Sequence, residues 1–331
     1  MPVLSICFGL SEVSFLYFDQ PSDFRVFNYP YIPYDAVLLK DLLQLLEKTI
    51  KVKYTECDVV TCGFPQVLSD FLNPKLTLSL DTLFSKMTKY HGIFVGNFTV
   101  VSPLGYLSSS DVSDVEGDDL NSLYNLILYH QIIQTDSFDQ LTVDHSVRYF
   151  PAHLTSFDGT KPVVFTGDRF NFPFKYDVTS YLLMLDLLKS PGVFKLQLDN
   201  ANTLSGLTLI DIYNRDNADC TNNYNFENIG TLINSPGSTE CLVETEDGTS
   251  QMIEVPGNDI FILPMDSAAS SRILLKNTNL GTLENRIQGG RVGMIIDTRA
   301  KNDPKVFTKA HYAKSYKSWV ERLNEALCTY L

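Results

Sequence analysis

The chain has 331 residues and a formal net charge of -13, with 39 acids against 26 bases. Hydrophobic residues make up 44% and charged residues 20%, which excludes a globally disordered chain and allows a sizeable core. An acidic field of this size repels phosphate backbones, so no nucleic-acid partner is expected.

Two short apolar runs, VLSICF at 3–8 and VSFLYF at 13–18, flank Gly9-Leu10-Ser11-Glu12 and predict a hairpin. Residues 25–34 are extended, because Pro30 and Pro33 exclude a helix. Asp35 fits a helix N-cap, and Val37, Leu38, Leu42, Leu45, Leu46 and Ile50 follow at helical spacing. CDVVTCGFP at 57–65 predicts a buried strand closed by Gly63 and Pro65. Residues 66–90 read as mostly helical, interrupted near Asn73-Pro74, and 91–107 as a strand or strand pair. SSSDVSDVEGDD at 108–119 reads as a solvated loop leading into a helix at about 119–134. A fully apolar strand at 163–166 ends abruptly in Thr166-Gly167-Asp168. An amphipathic helix at 176–190, stopped by Pro191-Gly192, precedes a strand at 193–199.

The composition shifts after about residue 215, where NADCTNNYNFEN reads as a polar linker. From 229 to 297, short strands alternate with turn signals at Ser235-Pro236-Gly237, Asp247-Gly248, Pro256-Gly257-Asn258 and Gly289-Gly290, the spacing of a small all-β unit. The tail at 308–328 is helical, with Tyr312, Tyr316, Trp319, Val320 and Leu323 along one side. The expected domains are therefore an α/β body at 1–215, a β domain at 216–300 and a terminal helix at 301–331.

Six cysteines (Cys7, Cys57, Cys62, Cys220, Cys241 and Cys328) are spread without any CxxC, which suits free thiols in a reducing compartment. The five histidines form no HxxxH or HxH pair, so no metal site is expected. The first residues lack a basic n-region and a small-residue cleavage site, and no apolar run approaches the roughly 20 residues of a membrane helix. The expectation is a soluble, cytoplasmic protein with no membrane partner. P-loop, GxSxG and HExxH patterns are missing.

Three strand-end turns are alike in form, namely Cys7-Phe8-Gly9-Leu10-Ser11, Val95-Gly96-Asn97-Phe98-Thr99 and Thr166-Gly167-Asp168. Glycine lets a backbone approach a phosphate, and adjacent N–H groups or hydroxyls can donate to it. The candidate nucleotide-binding residues are thus Gly9, Ser11, Gly96, Thr99, Thr166, Gly167 and Asp168. Each turn taken alone also fits an ordinary surface turn.

The three together resemble the two phosphate hairpins and the adenosine turn of the actin–hexokinase–sugar kinase–heat-shock ATPase (ASKHA) superfamily. That resemblance implies a reduced actin-like (ribonuclease H-like) α/β fold, followed by the small β unit and the C-terminal helix. The family's hairpins carry an aspartate ahead of the glycine, which holds the metal or positions water. Here Cys7 and either Val95 or Phe94 stand in those places, and Asp168 replaces the second glycine of the adenosine turn. Downstream, IQGGRVGMIIDTRAKND and the helix with Trp319 resemble the end of the glutamate mutase L family, a hydantoinase-related branch. Gly289, Gly290, Gly293, Ile295, Ile296, Asp297, Arg299 and Trp319 carry the match, while Ala300-Lys301 replace its Gly-Arg-Pro. Asp297 and Arg299, two apart on a strand, point to one face. They form either a structural ion pair or a receptor for a partner's anionic group.

Without the hairpin acids, the resemblance implies lost ATP hydrolysis and weakened ATP binding. The expected function is a non-catalytic binding or scaffold protein with no cofactor and an unidentified protein partner. Two rivals remain: an accessory factor using ATP and Mg²⁺ in the service of a radical mutase, and a self-assembling, homo-oligomeric actin-like subunit.

Overall fold

The computed structural model describes residues 2–9, 12–20, 23–30, 35–63, 72–95, 99–108, 157, 159–167, 170, 178–214, 224–277, 281–301 and 309–328. Residues 109–134 of the expected loop and helix, and 217–223 of the linker expected at 217–228, lie outside the described residues; the rest of that stretch is not a linker, because Phe226 is buried and Glu227 begins a strand. The rest falls into two compact units that interleave along the chain. The first draws on 1–107, 164–175 and 199–227; the second draws on 108–163, 176–198 and 228–331.

The first unit opens with the expected hairpin, β1 (Val3–Phe8) and β2 (Glu12–Gln20), followed by β3 (Asp23–Pro30). Helix α1 (Ala36–Ile50) starts where expected, because the Asp35 carboxylate accepts the Leu38 N–H at 2.9 Å. Then come β4 (Asp58–Cys62), β5 (Leu76–Leu78) and α2 (Leu80–Ser85). Residues 66–71 lie outside the described residues, and over 72–90 the expectation of a mostly helical segment fails, since only Leu80–Ser85 are α-helical. Val60, Thr61 and Cys62 offer a parallel edge, and Leu76, Thr77 and Leu78 pair with it. The sheet order is β3-β2-β1-β4-β5, an antiparallel meander extended by two parallel strands. This is the mixed α/β class expected from the sequence.

β1 and β2 are buried on both faces, so alternate residues feed two cores. Leu4, Ile6, Val13 and Phe15 face Leu39, Leu42, Leu43 and Leu46 of α1. Val3, Cys7, Leu16 and Phe18 face the opposite core, which holds Leu83 and Phe84 of α2. The same unit contains β6 (His91–Val95), β7 (Thr99–Ser102), β8 (Gly105–Ser108) and β9 (Val163–Thr166), running β9-β6-β7-β8 across their sheet.

The second unit begins with α3 (Val178–Leu187) and β10 (Gly192–Leu198). α3 is not amphipathic: Tyr181 through Leu187 are all buried, as in a helix surrounded by core. After it the chain returns to the first unit for α4 (Leu204–Tyr213), a helix the sequence did not announce. Leu204, Leu207, Leu209 and Ile210 complete the core containing Cys7 and Phe84. Back in the second unit run β11 (Glu227–Asn234), β12 (Thr239–Thr245), β13 (Ser250–Val255), β14 (Ile260–Leu263), β15 (Ser270–Asn277), β16 (Gly281–Gln288) and β17 (Gly293–Asp297). β14, β17, β11 and β10 lie side by side, with β11 and β17 parallel. β13-β12-β15-β16 form an antiparallel sheet whose inner face, including Cys241, Ile253, Ile273 and Leu275, is buried. Helix α5 (Lys309–Cys328) buries Trp319 and Leu323. Among the described residues, no helix is long and apolar enough to cross a membrane.

Candidate functional site

In the first unit the expected turns are linked by a chain of small polar side chains. β1 ends at Phe8, and the Gly9 N–H closes the hairpin on the Glu12 carbonyl at 2.8 Å. Cys7, in the place of the expected acid, is paired in register with Ser14 on β2 and with Cys62 on β4. The three stand in a row across the sheet, and the two thiols lie within one core.

The strand of the third turn, β9, buries Val163, Val164 and Phe165 completely, and Thr166 as well. The Thr166 hydroxyl donates to Asp199 Oδ2 at 2.8 Å and lies 3.2 Å from Asn202 Oδ1. A hydroxyl carries one proton, so the nearer, charged acceptor takes it. The second contact is satisfied when the Asn202 amide is turned over, donating to Thr166 and accepting from Ser14. Asn202 and Ser14 are 3.1 Å apart. Asn202 sits at φ +53°, a backbone conformation that asparagine tolerates better than most residues.

Asp199 is the hub of this network. Its carboxylate accepts the Thr166 hydroxyl, the Thr203 hydroxyl at 2.8 Å and the Leu204 N–H at 2.7 Å, and its own N–H binds the Phe165 carbonyl. The third of these bonds caps α4, whose N-cap residue Thr203 makes no capping bond itself. A fully buried carboxylate is thus held by three donors and a helix N-terminus in place of a cation.

Gly167 follows with φ +110°, and a Cβ there would lie 2.6 Å from the Val95 carbonyl oxygen. Only glycine fits so close to the strand that leads into the second turn. Thr166-Gly167 is therefore bound to the first hairpin through Asn202 and Ser14, and packed on Val95 of the second. Ser11, Gly96 and Asp168 lie outside the described residues, as does the side chain of Thr99.

In the second unit, Asp297 and Arg299 do meet, and both are fully buried. Arg299 donates from Nε to Asp297 Oδ1 at 2.9 Å and from Nη2 to Oδ2 at 2.7 Å, a bidentate fork. Its Nη1 pairs with Asp186 of α3 at 2.7 Å, and its guanidinium lies 4.6 Å over the Trp319 ring. Lys301 Nζ reaches Asp297 at 3.0 Å and the carbonyls of Leu185 and Leu188 at 2.7 Å each. Asn234 Nδ2 adds bonds to the carbonyls of Leu188 and Ser190. Carbonyls at and just beyond the end of α3 are thus bonded by Asn234 of β11 and by Lys301, which follows β17. Burial pushes the Asp297 carboxyl up, but Arg299 and then Lys301 outweigh it and hold it at about 2. Asp186 and Asp297 thus face Arg299 and Lys301, two acids against two bases. Burial also pushes the neighbouring Lys189 ammonium down to about 8.

The sequence matches no family model, and no curated protein matches it. Similar solved structures include the activator of the 2-hydroxyisocaproyl-CoA dehydratase from Clostridium difficile with bound ADPNP, at 9% identity and TM-score 0.40, covering 63% of this chain and 92% of that one. Another is the ethanolamine utilization protein EutJ from Carboxydothermus hydrogenoformans, at 11% identity and TM-score 0.39, covering 62% and 88%. A third is component A of the Acidaminococcus fermentans (R)-2-hydroxyglutaryl-CoA dehydratase, at 10% identity and TM-score 0.41, covering 63% and 96%. These are likenesses of architecture, and they assign the chain to no family.

Proposed function

We propose that the chain is a non-catalytic binding protein, an actin-like fold that contacts a protein partner without performing phosphoryl transfer. One observation supports this more than any other. Where a metal-holding aspartate is expected, Cys7 points into the core between Ser14 and Cys62, and the carboxylate bonded to Thr166 is already engaged by three protein donors. Phosphoryl transfer needs Mg²⁺ and free carboxylates to neutralise developing charge. Side chains that satisfy one another leave that role unfilled at these two positions.

Within the fold, kinship with the glutamate mutase L family is part of the same proposal, on the run from Gly289 to Trp319. Packing gives the matching glycines a reason of their own. A Cβ at Gly289 would lie 1.9 Å from the Asp266 carbonyl oxygen, and one at Gly293 would lie 2.4 Å from that of Leu263.

Isothermal calorimetry with ATP and Mg²⁺, together with a phosphate-release assay, tests the reading. The expected result is no binding at micromolar nucleotide and no phosphate released. Micromolar binding or turnover overturns it in favour of an ATP-dependent accessory factor. Light scattering that grows with protein concentration would instead favour a self-assembling subunit.

A further inference from the structure

We propose that Cys7 and Cys62 form an oxidisable dithiol at the end of the first hairpin, closing reversibly to a disulfide. The two residues are direct partners in the parallel ladder of β1 and β4, so their side chains leave the sheet on the same face. Both lie in the same core, and Cys62 shares a hydrogen bond with Cys7. Adjacent strands hold their Cα atoms about 4.8 Å apart, inside the window of roughly 4.4–6.8 Å that a disulfide spans. One residue further on, there is no room for a side chain beside the neighbouring strand. A Cβ on Gly63 would lie 2.7 Å from the Phe8 carbonyl oxygen.

The bond does not form without adjustment. Directly paired parallel residues hold their Cβ atoms about one strand spacing apart, wider than the roughly 3.8 Å that a relaxed disulfide prefers. Closure therefore draws the ends of β1 and β4 together and strains the bond. Strained disulfides are the easily reduced ones, which suits a switch better than a staple. The strand ends that move lead into Gly9 and Gly63, so the hairpin loop beyond Phe8 is reset.

The chemistry balances with a peroxide as oxidant. One sulfur attacks a peroxide oxygen, the O–O bond breaks, and a sulfenic acid and water result. The other sulfur attacks that sulfur, the S–O bond breaks, and a second water leaves. Two thiols lose two electrons and two protons, and one hydrogen peroxide becomes two waters. The Cys62 thiol is held above the usual range, first by its bond to Cys7 and then by burial. Reaction is therefore slow at neutral pH and faster in mild alkali. Cys57 and Cys241 are internal controls: they are buried in other cores, and among the described strand pairs neither has a cysteine opposite it.

The test uses the full reduced chain, treated with hydrogen peroxide at pH 7 and pH 9. Remaining thiols are alkylated in denaturant, and the digest is mapped by mass spectrometry. The expected product is one linked pair, Cys7–Cys62, forming faster at pH 9 and reopened by glutathione. In Cys62→Ser the linked peptide vanishes and Cys7 carries sulfenic or sulfinic oxygen instead. Cys7→Ala, judged folded by circular dichroism, repeats the test from the other side. Recovery of both residues fully alkylated while other cysteines oxidise would refute the proposal. So would equal linkage of either residue to Cys220 or Cys328, since that reports unfolding. The outcome is independent of whether any nucleotide binds.

Discussion

Arg299→Leu is the perturbation that separates a structural ion cluster from a vacant anion receptor. The substitution removes a two-bond fork to Asp297, an ion pair to Asp186 and the stacking on Trp319. It leaves two carboxylates with Lys301, and with Lys189 beside Asp186, in a site without water access, because all these side chains are fully or almost fully buried. Breaking a buried pair by removing one partner costs about 3–5 kcal/mol. A desolvated cation–π contact adds up to about 2, partly recovered by leucine packing on the indole. A loss of about 4 kcal/mol is expected, a large share of a stability in the usual range of about 5–15. The chain has a single tryptophan, and it is the one beneath Arg299, so intrinsic fluorescence in urea reports on this unit directly. With a slope of about 3 kcal/mol/M, the midpoint drops by about 1.3 M. Arg299→Lys keeps the charge but loses the fork, and falls between. The pH dependence gives a second reading. In the wild type Asp297 is held at about 2 against an ordinary 3.8. Its contribution, on the order of 2 kcal/mol, is complete above pH 3.8 and lost as pH falls through about 2. In the variant both carboxyls lose a cation and bind protons more readily, so its deficit shrinks as pH falls from about 7 to 4. A midpoint shift below about 0.3 M would refute the structural account.

Four further substitutions, at three positions, probe close approach and the buried network. Gly230→Ala puts a Cβ 2.0 Å from the Gly293 carbonyl oxygen at φ +138°, and a loss above about 4 kcal/mol or failure to accumulate as soluble protein is expected. Gly248→Ala, at φ +83° with open space around it, costs only about 1–2 kcal/mol of backbone strain; melts by circular dichroism that fail to separate the two would contradict the packing account. Thr166→Val deletes a donor to the buried Asp199 carboxylate and lowers stability by about 1–3 kcal/mol, while Thr166→Ser restores most of it. Equal melting temperatures for Val and Ser would show that the network contributes nothing.

Much of the first unit is legible in the sequence because its signals are local. Asp35 caps a helix three residues before its first satisfied N–H, and Gly9 sits between two apolar runs that pair as read. The α4 segment, LSGLTLIDIY, was not legible because it is apolar on nearly every side and so lacks the 3.6-residue stripe. β5 escaped notice for a different reason. Three residues carry little propensity, and their conformation is fixed by the edge of β4. Asp199 offers no motif at all; its role depends on partners 33 residues before it and four or five after it. Lys301 reads in the sequence only as a departure from Gly-Arg-Pro, yet in space it caps α3. The Asp297–Arg299 pair was visible from its two-residue spacing, but not Asp186, which belongs to a distant helix.

The interleaving of the units has a consequence for synthesis. When only the first 107 residues have left the ribosome, the face of the β1–β2 sheet that packs on α1 already has its cover. The opposite face has Leu83 and Phe84 of α2, but still waits for Val164, α4 and Phe226, which arrive roughly 60–120 residues later. At a translation rate of about 5–20 residues per second, that leaves this second core only partly covered for several seconds. The nascent chain therefore has a built-in window in which a chaperone, or an unwanted neighbour, can reach it.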